Sequence, residues 1–237
     1  MRDIVKAIEK EKEYLSYRMK GEEPFHLVDA VNECGFDSLA EYFDAKKDHT
    51  VENLDFEVYD VDPEGIGIYY VSKCIAEKRT AYIPIDVRYT FVWVGDNCTY
   101  NADYCDDCGI PVYPIYSSGG AIVNVEGDFN VAIITPKSAG LDAGYFLRKL
   151  ADILQSHTGR EIKIVGNDIM LDGMKVLGSS TAEKNDMFSF VAAVSLVDKT
   201  ELISQICTKH SEKTPAHIDF MTCDELEREV RTWLLKK

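Results

Sequence analysis

The chain has 237 residues, and its 26 lysines and arginines against 41 aspartates and glutamates give a formal net charge of −15. This balance argues against a nucleic-acid partner, because neutralising phosphates needs a basic surface. Hydrophobic residues make up 46% of the chain, enough for a core. No apolar run approaches the roughly 20 residues of a membrane span, and the charged N-terminus is unlike a signal sequence, so we expect a cytoplasmic protein without a membrane partner.

The first part of the chain is predicted to be helical. In residues 1–20, apolar side chains recur at helical spacing among lysines and glutamates: Ile4, Val5, Ile8 and Leu15. A second helical stretch covers about residues 25–46, with a break near Gly35. Asp37 or Ser38 is the expected cap of the part that follows the break.

From about residue 55 the sequence predicts strands, since runs of Val, Ile, Tyr and Phe are separated by Gly, Pro and Asp. These runs are residues 56–61, 65–73, 81–95 and 109–117. Two further apolar runs flank the tetrapeptide Glu126–Phe129, which predicts a hairpin.

The last hundred residues predict a mixture of helices and strands. Residues 141–157 carry an apolar helical stripe that ends before Gly159. A second hairpin is expected at residues 161–180, with Asp172-Gly173 as its turn. One more strand (188–196) and two closing helices (199–209 and 223–237) follow, the last with Thr222 or Asp224 as its cap.

This order of elements predicts an α+β fold with a mixed or antiparallel β-sheet flanked by helices. The change in texture near residue 55 divides the chain into an N-terminal helical segment, residues 1–54, and an α+β domain, residues 55–237. No internal repeat alters this division.

Seven cysteines, an odd number, argue against a secreted disulfide framework. Three of them lie close together: Cys98, Cys105 and Cys108. Zinc binding is one interpretation of this cluster. Ordinary thiols are the favoured one, because no second pair of Cys or His ligands occurs at a matching spacing.

A small-residue turn at Tyr116–Ala121 is the first candidate for chemistry. Its paired glycines and two hydroxyls let backbone N–H groups approach an anion without a Cβ clash. A tight corner between two strands explains the same residues equally well.

The second candidate is the hairpin that contains Asp168 and Lys175. An Asn167-Asp168 pair is predicted to end one strand, and the turn brings Lys175 of the returning strand close to Asp168. A carboxylate for Mg²⁺ and an ammonium for a phosphoryl or carboxyl oxygen are what acyl-adenylate formation needs. A surface hairpin with an exposed lysine is the alternative.

Together these motifs, in this order, resemble the lipoate-protein ligase A family of the biotin/lipoate ligase superfamily over about residues 89–205. The similar segments are Trp93–Asn97, Gly109–Val112, Pro114–Ala121, Gly127 with Asn130, Gly166–Ile169 and Asp172–Ser179. The last is the most specific, and it places Lys175 on the lysine that contacts the acid's carboxylate and the nucleotide's α-phosphate in this family.

The resemblance implies a class II biotin/lipoate ligase-like catalytic domain that uses ATP and Mg²⁺. Lipoic or octanoic acid would become an acyl-AMP, and the acyl group would pass to a lysine of an acceptor lipoyl-type domain. Lys175 would be catalytic and Asp168 would bind the metal. The nucleotide or acyl chain would contact Ser117, Ser118, Gly119, Gly120, Ala121, Ile122, Val123, Asn124, Asn167, Gly178 and Ser179.

The chain departs from the family at three cationic positions. Pro114 and Ile115 stand where the family has two arginines, and Gly166 stands where it has a third. Because each charge-assisted contact is worth about 1.5–3 kcal/mol, ATP binding needs cations from elsewhere. The candidates in the sequence are Arg88, Lys137, Lys163 and Lys184.

These departures keep two alternatives open. One is a binding module or accessory subunit of the same fold with impaired catalysis, and catalysis would then need a separate subunit. The other is a related octanoyl or lipoyl transferase that carries its acyl group as a thioester. No Cys lies between residues 109 and 175, and the retained Asn167-Asp168 favours the ligase. An acidic acceptor domain would need a local basic patch on this chain, for which Lys73, Lys78, Arg79 and Arg88 are candidates.

Overall fold

The computed structural model describes residues 2–22, 25–59, 67–95, 98–115, 120–208 and 213–235. Packing divides the chain into two compact units, Met1–Leu54 and Asp55–Lys236. Within the ranges described, no helix is long and apolar enough to cross a membrane.

The first unit is helical. Its helices are α1 (Ile4–Met19), α2 (Leu27–Asn32) and α3 (Leu39–Glu52). The Ser38 side chain accepts a hydrogen bond from the Glu41 backbone N–H, which confirms the predicted cap of α3. Gly35, at the predicted break, has a φ of 87°. The core of the unit consists of Ala7, Val31, Cys34, Phe36 and Tyr42.

The second unit contains two β-sheets in the described part of the chain. Their strands are β1 (Glu57–Val58), β2 (Ala81–Asp86), β3 (Phe91–Gly95), β4 (Val112–Ile115), β5 (Ala121–Asn124), β6 (Phe129–Pro136), β7 (Ile162–Val165), β8 (Asp168–Leu171), β9 (Met174–Lys184) and β10 (Met187–Val194). The larger sheet has the order β1-β2-β6-β10-β9-β8-β7, and the smaller has the order β4-β3-β5. Only β1 with β2 and β3 with β4 are parallel pairs among these strands.

Helices flank the sheets, so the predicted α+β class with mixed sheets is confirmed. They are α4 (Gly67–Glu77), α5 (Ala102–Cys108), α6 (Ala143–Ser156), α7 (Thr200–Ile206) and α8 (Cys223–Leu234). The stripe predicted on α6 is buried at Phe146, whose ring stacks on Phe190 of β10 with centroids 5.2 Å apart. Thr222 caps α8 in a capping box with Glu225, as expected.

The two sheets share one hydrophobic core. Phe91 and Trp93 of the smaller sheet pack with buried residues of the larger sheet, among them Ile83, Ile85 and Ile134. Full burial of each such side chain is worth about 1.5–3 kcal/mol. This packing fixes β5 of the smaller sheet relative to the larger one.

One predicted strand is wrong. Residues 65–73 carry Ile and Tyr in a pattern typical of a strand, yet residues from Gly67 onward form α4. Val71, Cys74 and Ile75 are buried at helical spacing in the shared core. The buried stripe continues past residue 73, so its helical period is not visible within residues 65–73 alone.

The hairpin predicted at Glu126–Phe129 is also wrong. Both strands exist, but β5 pairs with β3 in the smaller sheet and β6 pairs with β2 and β10 in the larger. The turn therefore carries the chain from one sheet to the other. The backbone hydrogen bonds of this turn do not close a hairpin: Gly127 N–H donates to the Val87 carbonyl, and Val125 N–H donates to the Asp128 carboxylate.

Candidate functional site

A cavity of about 840 Å³ lies in the second unit. Its walls come from β5, β9, β10 and α7, with further residues from β3, β8 and the segments 98–99 and 213–215. Apolar side chains line part of it, among them Trp93, Ile115, Ile122, Leu177 and Val191. Its size and mixed lining are those of a small-molecule site.

The hairpin from β8 to β9 brings charged groups to this cavity. Asp172 and Gly173 both have positive φ, 49° and 81°, as a two-residue turn between strands requires. The register shifts between Ile169 and Met170, so Lys175 lies opposite Met170. The backbone of Lys175 also pairs with a later segment: its N–H donates to the Thr214 carbonyl at 2.8 Å.

Asp168 joins two lysines at the cavity wall. Its Oδ1 lies 2.9 Å from Lys175 Nζ, and its Oδ2 lies 2.5 Å from Lys213 Nζ. Lys213 Nζ also donates to the Val165 carbonyl at 2.9 Å. The carboxylate is 14% exposed, while the lysine side chains are 34% and 30% exposed. We call Asp168, Lys175 and Lys213 the ionic cluster; its formal charge is +1.

Two opposing effects act on the Asp168 carboxyl group. Its burial alone would raise the pKa, but the hydrogen bonds and charges of Lys213 and Lys175 outweigh burial, so the pKa lies below its usual value. Asp168 is therefore ionised at neutral pH and holds both ammonium groups.

A second ion pair is more deeply buried. Lys199 lines the cavity and pairs with Asp128, and their side chains are 7% and 0% exposed. The Asp128 carboxylate also accepts hydrogen bonds from the backbone N–H groups of Val125 and Leu196, at 3.0 and 2.9 Å. Burial lowers the pKa of Lys199, and the Asp128 charge opposes that shift. Asp128 thus ties the turn between the sheets to the end of β10.

The structure brings most of the described candidate residues to the cavity. Those in the lining are Gly120, Ala121, Ile122, Val123, Asp168, Lys175, Gly178 and Ser179. Ser117, Ser118 and Gly119 lie outside the described residues.

Two candidates are not part of the cavity lining. Asn124 is fully buried, where its side chain accepts a hydrogen bond from Asn130 at 2.8 Å. Asn167 does not end a strand as predicted; it lies exposed in the turn between β7 and β8. Its carbonyl accepts hydrogen bonds from the N–H and hydroxyl of Ser179, at 2.9 and 2.8 Å.

The donor set around Asp168 does not fit Mg²⁺. Both carboxylate oxygens already accept hydrogen bonds from ammonium groups. In the part of the chain that the structure describes, no group of three or more His, Cys, Asp or Glu side chains could hold a metal ion. A magnesium ion needs several oxygen ligands in near-octahedral geometry. We therefore assign Asp168 to the lysines and derive no step through a metal bound by it.

Sequence reasoning missed several residues of the lining: Cys98, Lys199, Cys207 and Lys213. Lys213 is 45 positions from Asp168, and no local pattern signals such a contact. From the sequence, Cys98 stands out only as part of a thiol cluster. Its neighbour in that cluster, Cys105, is buried in α5.

Five of the basic residues proposed for compensation or docking pair with nearby carboxylates instead. Arg88 pairs with Asp86 at 3.1 Å, Lys137 with Glu183 at 2.5 Å and Lys163 with Glu161 at 2.8 Å. Arg79 and Lys78 pair with Glu57 and Asp186, at 2.7 and 2.8 Å. Neither these residues nor Lys184 lines the cavity.

Solved structures of similar fold include proteins described as lipoate protein ligases or in complex with lipoate. P. falciparum LipL1 in complex with lipoate has a TM-score of 0.61 at 13% identity, and the match covers 75% of this chain and 61% of that one. This chain thus spans less than two thirds of LipL1. A bi-partite lipoate protein ligase from Thermoplasma acidophilum has a TM-score of 0.61 at 13% identity, with 77% and 84% coverage.

A lipoate-protein ligase A bound with ATP is equally similar, with a TM-score of 0.61, 14% identity and coverage of 76% and 84%. At these identities the likeness is one of fold. No curated protein sequence matches the chain significantly. The family model for the lipoyl protein ligase A/B catalytic domain matches residues 94–231, which is more than half of the sequence. The chain therefore belongs to the lipoyl protein ligase A/B catalytic-domain family.

Proposed function

We propose that this chain activates a lipoyl- or octanoyl-type carboxylic acid with ATP and transfers the acyl group to a lysine of an acceptor protein. The observation that carries the proposal is the ammonium group of Lys175, held by Asp168 in the wall of a partly apolar cavity. Two structures of similar fold are described with lipoate and with ATP, which supports both substrates.

In the first step, a carboxylate oxygen of the acid attacks the α-phosphorus of ATP. The bond from that phosphorus to the bridging oxygen breaks, so pyrophosphate leaves and an acyl-AMP remains. Negative charge builds up on the five-coordinate phosphorus. Lys175 supplies a fixed positive charge there, and preorganised charge of this kind is worth about 3 kcal/mol in other enzymes.

Asp168 positions Lys175 in this proposal. The carboxylate keeps the ammonium at 2.9 Å, so the lysine need not be ordered when substrate binds. A catalytic group that is already ordered before the substrate binds lowers the barrier of the reaction. Lys175 itself is not a nucleophile here, because the attacking atom belongs to the acid.

In the second step, the ε-amine of the acceptor lysine attacks the acyl carbon. An amide forms, AMP leaves, and the amine loses a proton. We assign this chemistry to the domain of residues 55–237, with the helical segment 1–54 outside it. The acceptor would be a lipoyl-type domain, and a separate accessory subunit is part of the proposal because one similar structure is a bi-partite ligase with its E2 lipoyl domain.

The lining of the cavity favours a medium-length acyl chain. Trp93, Ile115 and Ile122 line the same cavity as the ionic cluster, and the cavity volume of about 840 Å³ exceeds what a short polar acid needs. An octanoyl or lipoyl chain would bury its methylenes there, each worth about 0.8 kcal/mol.

Exchange of labelled pyrophosphate into ATP tests the first step directly. We expect exchange that depends on lipoate or octanoate, and its loss in Lys175→Ala. Lys163→Ala is the matched control, because that lysine pairs with Glu161 outside the cavity. No exchange with lipoate, octanoate or biotin, together with no ATP binding by calorimetry, would replace the ligase with a binding module of the same fold.

A second candidate function is acyl transfer through a thioester, and Cys207 is the observation that favours it. Cys207 lines the same cavity as Lys175. However, burial and the neighbouring Cys98 and Cys105 raise the pKa of Cys207 above its usual value, and the charge of Lys175 opposes this only in part. This favours the protonated thiol at neutral pH and therefore the ligase.

The two functions differ in their covalent intermediate. In a transferase, the Cys207 thiol would displace a carrier's thiol from the acyl group, and the acceptor amine would then displace Cys207. Incubation with an octanoyl thioester and intact-mass analysis would detect an octanoyl adduct that Cys207→Ser removes. The ligase predicts no adduct and unaltered pyrophosphate exchange in Cys207→Ser.

A further inference from the structure

The charge of the cavity lining depends on Lys213. Without it, Lys175 and Asp168 would form a neutral pair, just as Lys199 is neutralised by Asp128. Lys213 binds the second oxygen of the same carboxylate and raises the ionic cluster to a formal charge of +1. In a chain with a net charge of −15, this is a local excess of positive charge at a cavity wall.

Lys213 is also fixed in position. Its ammonium donates to Asp168 Oδ2 and, at 2.9 Å, to the carbonyl of Val165. Thr214, the residue after Lys213, accepts a hydrogen bond from the Lys175 backbone N–H, and Ala216 N–H donates to the Lys175 carbonyl, both at 2.8 Å. Two lysines from distant parts of the sequence are therefore held side by side by main-chain and side-chain bonds.

Lys213 binds next to a sequence position at which the resembled family has a cation. Val165 directly precedes Gly166, the position where the resembled family has an arginine. Gly166 has a φ of 66° and supplies no side chain to the turn. None of the cations that the sequence offered as substitutes, Arg88, Lys137, Lys163 or Lys184, lines the cavity.

We propose that Lys213 is a substrate-binding residue that, with Lys175, forms a two-lysine subsite for the phosphates of the nucleotide. The proposal rests on the ATP-dependent function proposed above. We favour a phosphate chain over the acid's carboxylate as the occupant of this subsite. One ammonium group can neutralise a single carboxylate, whereas the several charges of a polyphosphate need more positive charge than a neutral Lys175–Asp168 pair supplies. Each charge-assisted contact to phosphate is worth about tenfold or more in affinity.

Calorimetry on the full chain tests the subsite, with ATP, inorganic pyrophosphate and octanoate as separate probes. The variants are Lys213→Gln, which keeps a donor for Val165 without the charge, and Lys213→Arg, which keeps the charge. Lys163→Gln removes the same charge from an exposed pair outside the cavity. We expect Lys213→Gln to weaken ATP and pyrophosphate binding about tenfold or more, Lys213→Arg to stay within about threefold, and Lys163→Gln to change neither.

A role in folding alone would give a different pattern. Lys213→Gln would then lower the melting temperature without a selective rise in the KM for ATP, and that result would overturn the proposal. Weaker octanoate binding with unchanged ATP binding would overturn the phosphate assignment, as would a wild-type chain that binds neither ATP nor pyrophosphate.

The proposal and the ligase function fail in different ways. Pyrophosphate exchange that persists in Lys213→Gln with an unchanged KM for ATP removes Lys213 from the site and leaves the ligase intact. Pyrophosphate binding that is lost in Lys213→Gln, in a chain without exchange activity, supports the subsite and removes the ligase.

Discussion

The ammonium group of Lys175 lies against Gly178, three residues further along β9. A Cβ atom added to Gly178 would stand 3.0 Å from Lys175 Nζ and 3.5 Å from Asp168 Oδ1. The contact with Asp168 is an ordinary one, but the contact with Lys175 requires the lysine end to shift by a few tenths of an ångström. The glycine therefore leaves room for the ion pair between Lys175 and Asp168.

Gly178→Ala should separate activity from stability. We expect pyrophosphate exchange to fall about tenfold, because the displaced ammonium loses its position at the reacting phosphorus. The free energy of unfolding should stay the same or rise slightly, since fixing alanine in a strand costs about 0.5–1 kcal/mol less in conformational entropy than fixing glycine. Gly159→Ala is the control, because its Cβ would meet nothing within 4 Å. Full activity in Gly178→Ala would show that the lysine position is not critical.

Asp168→Asn should destabilise the fold at neutral pH by about 1–3 kcal/mol, because two ammonium groups lose their common acceptor. The pKa of Asp168 is lower in the folded chain than its unfolded value of about 3.9. Its contribution is therefore complete above that value and is lost as the pH falls through the folded pKa. Urea unfolding of wild type and variant at several pH values should show the two stabilities converging in acid.

Asp219→Asn is the control for this measurement. Asp219 pairs with Arg160, but its side chain is 61% exposed, so the expected effect is below about 1 kcal/mol. A wild-type advantage over Asp168→Asn that persists unchanged to the most acidic pH would contradict the assignment.

Lys199→Met should be among the most destabilising substitutions in the second unit. It leaves the Asp128 carboxylate, which is fully buried, without its cation. Removal of one partner from a buried ion pair lowers the free energy of unfolding by about 3–5 kcal/mol. Chemical denaturation at neutral pH measures the loss, and Lys137→Met, which breaks an exposed pair with Glu183, should change stability by about 0.5 kcal/mol or less. Equal effects of the two variants would remove the structural role of Asp128.

Octanoate should protect Cys207 from alkylation. Cys207 lines the cavity, whereas Cys108 is exposed and does not. In peptide mapping after iodoacetamide treatment, we expect Cys108 to react first and octanoate to slow only the reaction of cavity thiols. Because burial raises the pKa of Cys207, its reaction should quicken as the pH rises above neutrality. Identical Cys207 rates with and without octanoate would place the acid elsewhere.

The sequence was sufficient for features that depend on neighbours along the chain. The Asp172-Gly173 turn, the proximity of Asp168 to Lys175 and the Thr222 cap follow from short-range patterns, and the structure has all three. The sequence of α4 predicts a strand because Tyr and Ile favour strands, and its buried helical stripe is visible only over a longer window.

Long-range features could not be predicted in this way. The residues at Glu126–Phe129 predict a turn equally well whether the next strand returns to the same sheet or joins another. The outcome depends on Asp128, whose partners include Leu196 and Lys199 from a distant segment. Lys213 reaches Asp168 for the same reason, through tertiary packing that no local pattern encodes.

The main-chain pairing of Lys175 with the segment around Pro215 has an implication for redesign. Peptide groups, together with the Lys213 side chain, keep this segment in place, so side chains other than Lys213 can be exchanged while the β8–β9 hairpin stays as it is. A shift of one residue in the pairing would instead turn position 213 to the opposite side. Nucleotide preference could therefore be altered by grafting alternative sequences onto this single stretch, provided that its length is preserved.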